Sequence, residues 1–217
     1  MTKKSGKTKA HIQYKLADGK RVPGVTTITG IMAKPALIPW ANKLGLEGIE
    51  VGKYVDDLAD IGTLSHKMVE DHIAKRETDF SDYSENQKGQ SENAVLKFYG
   101  WEDENEVEYL ESEMVMISEK YRYGGTCDIY CKLNGKLTLL DLKTGRAIYD
   151  EAYTQVAAYR NLLLEHDRKV EDVRILRIGR DEGEGFDDIC VPKIDKHWER
   201  FLACLSVYEL NKELRRR

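Results

Sequence analysis

The dipeptide Asn134-Gly135 constrains the fold of this chain more than any other local feature. A type I′ turn needs positive φ at both central residues, and Asn-Gly supplies that with little strain. The runs on either side carry a period of two, so they are expected to pair as antiparallel strands. A two-residue loop sets Leu133 against Lys136, and counting back places Asp128 opposite Asp141. Cross-strand partners have Cβ atoms about 5 Å apart. Two carboxylates that close repel unless a proton or a cation lies between them. Lys143, two residues beyond Asp141, is expected on the same face. The spacing therefore predicts two carboxylates and an ammonium on one patch of sheet.

That patch has a chemical reading. Hard oxygen ligands suit Mg²⁺ or Mn²⁺, which bind through a few carboxylates, water and substrate phosphate. Such an ion polarises a phosphoryl oxygen, and a lysine beside it can stabilise the charge that develops there. Phosphodiester hydrolysis uses these parts. The triplet Asp-x-Lys is common and recurs here as Asp18-Gly19-Lys20 and Asp167-Arg168-Lys169. What distinguishes Asp141-Leu142-Lys143 is its place on an apolar strand opposite Asp128. The competing reading is a salt bridge on a solvated sheet face.

Around this hairpin the pattern is α/β. Strands are expected at 107–117, 121–133, 136–143, 172–179 and 186–191, and helices at 150–165 and about 195–214. Residues 11–28 read as a short β-hairpin turned at Asp18-Gly19, and 29–77 as helices broken by Pro35, Pro39 and glycines. The polar stretch 78–92 reads as a loop before a short helix through Ala94, Val95 and Phe98. The layout is one domain over 1–217: a basic tail at 1–10, a mainly helical part at 11–100 and an α/β core at 101–217.

Composition sets the outer limits. The chain has 217 residues, 41% hydrophobic and 33% charged, which is enough to bury a core and excludes a wholly disordered protein. The formal net charge of -4 excludes nucleic-acid binding by bulk positive charge. Lys3, Lys4, Lys7 and Lys9 crowd one end and Arg215, Arg216 and Arg217 the other, either as solvated tails or as phosphate-contacting arms. No apolar run reaches the ~18 residues of a membrane span, and the basic start lacks the apolar stretch of a secretory signal. A cytoplasmic protein without a membrane partner is expected. Cys127, Cys131, Cys190 and Cys204 show no zinc spacing; Cys127 and Cys131, four apart on one strand, are expected on the same side.

Four ordered motifs resemble the PD-(D/E)xK nuclease superfamily, and within it the RecB-like and phage-type exonuclease branch. They are Gly62-Thr63-Leu64-Ser65-His66, Gly125-Thr126-Cys127-Asp128, Asp141-Leu142-Lys143-Thr144 and Gln155-Val156-Ala157-Ala158-Tyr159. Val22-Pro23-Gly24-Val25-Thr26-Thr27-Ile28 is similar to the start of such phage-type proteins, less specifically. The resemblance implies a restriction-endonuclease-like core with a central mixed sheet. It implies metal ligation by Asp128, Asp141 and the carbonyl of Leu142, a catalytic Lys143, and a metal-touching His66. It also implies that Gln155 and Tyr159 hold DNA or orient the lysine. Glu113 stands where many relatives carry a glutamate and is a further metal candidate.

The function so implied is a Mg²⁺- or Mn²⁺-dependent DNA exonuclease of phage or bacterial recombination, repair or degradation, with DNA and a single-strand annealing or other recombination protein as partners. Some relatives hold an iron–sulfur cluster on one early cysteine and a cysteine group near the C-terminus; Cys190 and Cys204 stand alone late in the chain, so none is expected. Arg122, Lys132 and Arg146 flank the expected site as phosphate-contact candidates. Taken residue by residue, His66 also suits a helix boundary, Gln155 and Tyr159 a helix surface, and Glu113 an exposed strand. Trp198, Phe201 and Tyr208 fit core positions of the last helix better than base-stacking platforms. The alternatives are a structure-specific endonuclease of the same superfamily, a silent DNA-binding protein with this fold, or a small α/β interaction domain with an incidental salt bridge.

Overall fold

A computed structural model describes residues 12–215. The basic stretch at 1–10, His11, Arg216 and Arg217 lie outside the described residues. The architecture is α/β: a five-stranded mixed sheet with helices on both faces. Its strands are β1 (Val107–Ser118), β2 (Tyr123–Leu133), β3 (Lys136–Thr144), β4 (Asp172–Ile178) and β5 (Phe186–Cys190). They lie in sequence order, all antiparallel except β3 against β4. That parallel pair needs a crossover, which is helix α5 (Asp150–Glu165). The remaining helices are α1 (Val25–Thr29), α2 (Leu37–Leu46), α3 (Val51–Ile73), α4 (Glu85–Asp103) and α6 (Ile194–Arg215).

The hairpin register is the one the turn dictates. Asn134 and Gly135 both have positive φ, and Leu133 pairs Lys136 through to Ile129 with Leu140. Strand alternation then splits the core into two layers. Leu139, Tyr130 and Ile175 pack with α1, α5 and α6, through residues such as Ile28, Val156 and Phe201. Leu140, Leu142 and Leu176 pack with α3 and α4, through Val69, Val95 and Phe98. Among the described residues no helix is long and apolar enough to cross a membrane.

Three expectations for the N-terminal part are corrected. Among the described residues, 12–28 do not form the expected strand hairpin: the Asp18-Gly19 turn closes a single Lys15–Arg21 bridge, and the β-branched run from Val25 is helix α1. Burial of Val25 and Ile28 beside α5 and α6 overrides their strand propensity. Pro39 does not break α2, because it lies in the first turn, where its missing N–H has no intrahelical partner to lose. Residues 85–92 are not loop but the first half of α4. Ser84 and Gln87 form a capping box, in which the Gln87 N–H donates to Ser84 Oγ at 3.3 Å and the Ser84 N–H to Gln87 Oε1 at 3.0 Å. The polar face of that half packs on α3: Gln87 Nε2 donates to Asp57 and Asp60, and Ser91 Oγ to the Ile61 carbonyl.

Candidate active site

The site forms where β2 and β3 part. Their ladder stops at Ile129 and Leu140, and beyond it the Leu142 N–H donates to Asp128 Oδ2 at 2.8 Å. A carboxylate thus replaces a backbone carbonyl as the link between the two strands. Side-chain alternation slips at the same point. Ile129 and Cys131 face α3 and α4, yet Cys127 joins Tyr130 in the α5–α6 layer. The expectation that Cys127 and Cys131 share a side is therefore corrected, since a strand of unbroken period two would place them together.

The neighbouring strand slips in step. Glu113 lies between Ser112, opposite Ile129, and Met114, opposite Cys127, and it adopts φ 49°. A left-handed non-glycine residue costs about 1–3 kcal/mol and persists only where the surroundings impose it. The outcome is that Glu113 and Asp128 both turn toward α3 and His66. Ligand atoms of His66, Glu113 and Asp128 all lie within 4.8 Å of one another. The His66 Nδ1 to Asp128 Oδ2 distance is 3.7 Å. Beside them is a cavity of about 10 Å³, lined also by Val69, Ile129 and Leu142. That is about the space of one water-sized occupant.

Asp141 and Lys143 approach from the other layer. Leu140 and Leu142 face α3 and α4, so the residues alternating with them face α5. The expected single patch is therefore two groups that meet at the strand gap, with Asp128 as the link. Asp141 is 1% exposed. Its Oδ2 lies 2.5 Å from Lys143 Nζ, and neither carboxylate oxygen accepts a well-formed hydrogen bond. Burial raises its pKa to about 6, with the Lys143 charge opposing the shift and Asp128 adding to it. Burial pulls the Lys143 ammonium down, but the charges of Asp141 and Asp128 outweigh it and leave the group raised. Lys143 Nζ also donates to the Leu142 carbonyl at 3.3 Å.

Helix α5 supplies Gln155 and Tyr159 one turn apart, and Gln155 Nε2 donates to Tyr159 Oη at 2.7 Å. Tyr159 is buried and packs on Gly125, where a Cβ would fall 2.6 Å from Tyr159 Cε1. That close approach explains the glycine three residues before Asp128. Burial, then the Asp141 charge, raises the Tyr159 phenol well above its ordinary value, so it stays protonated. Gln155 and Lys143 share a cleft of about 300 Å³ with Thr26, Gly30, Lys34 and Thr144.

The flanking arginines separate. Arg146 follows β3 with its side chain 80% exposed, and its Nε is 3.5 Å from Glu184 Oε1. Arg122 sits in the β1–β2 turn, six residues from Asp128, or about 20 Å along the strand. It does not flank the site, and neither does Lys132, exposed toward the opposite end of β2. Sequence reasoning gave no role to Lys34, whose Nζ is 2.5 Å from Glu151 Oε1 at the cleft rim, or to Thr144, whose buried Oγ1 has no hydrogen-bond partner among the described residues. No sequence pattern marks Lys34, whereas Thr144 follows directly on the Asp-x-Lys triplet.

The clustered donors, the Asp128 and Glu113 carboxylates and the His66 imidazole, fit a hard divalent cation in chemistry, and Asp141 lies next to them across the strand gap. Asp141 Oδ2 already meets the Lys143 ammonium; its buried Oδ1, without a hydrogen-bond partner among the described residues, is costly unless a cation or proton meets it. No family model and no curated protein matches the chain. A solved structure titled "Crystal structure of SSO0001" is similar over 65% of this chain and 84% of that one, at 14% identity and a TM-score of 0.29. An overlap that loose carries no argument about fold or function.

Proposed function

We propose that this chain is a divalent-metal-dependent DNA exonuclease with a PD-(D/E)xK core. The observation that carries the reading is the convergence at one strand gap: Asp128 bonds the Leu142 N–H while buried Asp141 pairs Lys143. Asp128, Asp141 and the Leu142 carbonyl would hold Mg²⁺ or Mn²⁺, with His66 and Glu113 completing the donors. When bound, such an ion supplies Lewis acidity toward the scissile phosphate. Lys143, held cationic by its two carboxylates and 27% exposed, meets the phosphate and stabilises charge as it develops. The Gln155 amide, anchored by Tyr159, orients the strand in the cleft. Helix α1, which lines that cleft, favours a free end over continuous duplex. The motif resemblance supports a role in phage or bacterial DNA recombination, repair or degradation beside a single-strand annealing protein.

The test is digestion of end-labelled linear DNA and covalently closed circles with Mg²⁺ or Mn²⁺, with EDTA and Asp141→Asn as controls. The expected result is loss of label from linear DNA alone, abolished by either control. Circles cut as fast as linear DNA would move the assignment to an endonuclease. DNA left intact in every condition would refute the enzyme.

A further inference from the structure

The Lys143 cleft does not end at α1. Thr26 and Gly30 line it on one side, and the same two residues line a second groove of about 430 Å³ between α1 and α6. The two grooves therefore adjoin at Thr26 and Gly30. The far end of the second is formed by Tyr208, Lys212 and Arg215 of α6. Among the described residues its lining includes no carboxylate side chain. Glu209, on the same helix, lies 3.5 Å from Lys212 as a partly exposed pair. In a chain of net charge -4, this groove brings Lys212 and Arg215 to one wall, with Arg215 outside the Glu209 pair. Tyr208 packs its inner side on the core, and the rest of it is open to the groove.

Cations spaced along a groove, hydroxyls between them and one aromatic ring match the chemistry of a single nucleic-acid strand: phosphates for the cations, a base for the ring. We propose that single-stranded DNA follows this path. From the Lys143 cleft it crosses α1 and enters the α1–α6 groove, where Lys212 and Arg215 hold phosphates beyond the scissile bond and Tyr208 stacks a base. The path rests on the nuclease reading for its starting point. It adds a substrate form, single-stranded DNA of several nucleotides, and a set of positioning residues remote from the chemistry.

Two readouts on the full chain test it, with wild type beside Lys212→Gln/Arg215→Gln. Thermal melts first confirm that both fold. Fluorescence anisotropy of a labelled twelve-nucleotide oligothymidine in EDTA reads the path without cleavage. The double variant is expected to bind at least ten-fold more weakly. Its slope of log affinity against log salt is expected to be shallower by about 1.4, or about 0.7 per cation removed. With Mn²⁺, its KM is expected to rise for long strands and stay unchanged for trinucleotides, with kcat preserved for both. Equal affinity and salt slope in the two proteins, or no binding by wild type, would overturn the path. Binding lost in the variant while wild type hydrolyses nothing would leave the path standing and sink the nuclease.

Discussion

Gly125→Ala isolates how the fold positions Tyr159. Gly125 does not have positive φ, so the backbone accepts alanine. Elsewhere such a change stabilises by about 0.4–1 kcal/mol, because the unfolded chain loses freedom. Here the new Cβ falls 2.6 Å from Tyr159 Cε1, 3.0 Å from Cδ1 and 3.1 Å from Leu162 Cδ1. Ordinary carbon contact begins near ~3.5 Å, so the ring must retreat by about 0.9 Å. Tyr159 and Leu162 are 5% and 0% exposed, which leaves little room for that. Over-packing of this kind costs about 1–3 kcal/mol, or about 2–4 °C of Tm per kcal/mol for a chain of this size. Urea denaturation followed by far-UV circular dichroism gives the cost as a shift in midpoint at constant slope. The decisive comparison is the cycle with Tyr159→Ala, itself expected to cost about 3–5 kcal/mol. Without the ring, Gly125→Ala should be near neutral or mildly stabilising, apart from the Leu162 contact. Additive costs for the two changes would refute the steric account and assign the glycine another role.

Two further predictions concern the wall behind the site. Arg177, 6% exposed, donates to the carbonyls of Gly145 and Glu184 and pairs with Asp187, so Arg177→Met leaves buried acceptors without donors. It should cost about 3 kcal/mol, and a thermal melt unchanged from wild type would show that the network is dispensable. Glu184 is also buried; burial alone would raise its carboxyl, but the Arg180 hydrogen bonds outweigh that and carry it from 4.5 down to about 2. A carboxyl depressed on folding stabilises above its ordinary value and loses that contribution as pH falls through 4.5 toward about 2. Glu184→Gln should therefore be less stable than wild type at pH 7, with the gap closing as pH approaches 2. Denaturation midpoints that stay parallel across that range would contradict the pairing.

The sequence determined what local chemistry controls. Asn134-Gly135 fixed the β2–β3 register because a two-residue turn admits one pairing, and the 3.6-residue period of α5 and α6 marked their core faces. It brought Gln155 and Tyr159 onto one helix face for the same reason. The start of α4 was hidden because its polar side chains find their partners on α3, thirty residues away in the case of Ser91 and Ile61. Tertiary structure alone decided the aim of the site. Period two carries no sign that β1 and β2 slip together at Glu113 and Asp128, and that slip turns two carboxylates toward His66 while Asp141 and Lys143 come from the opposite layer. The remoteness of Arg122 and the meeting of the two grooves at Thr26 and Gly30 were likewise set by packing, because each depends on residues far apart in the chain that only the assembled layers bring together.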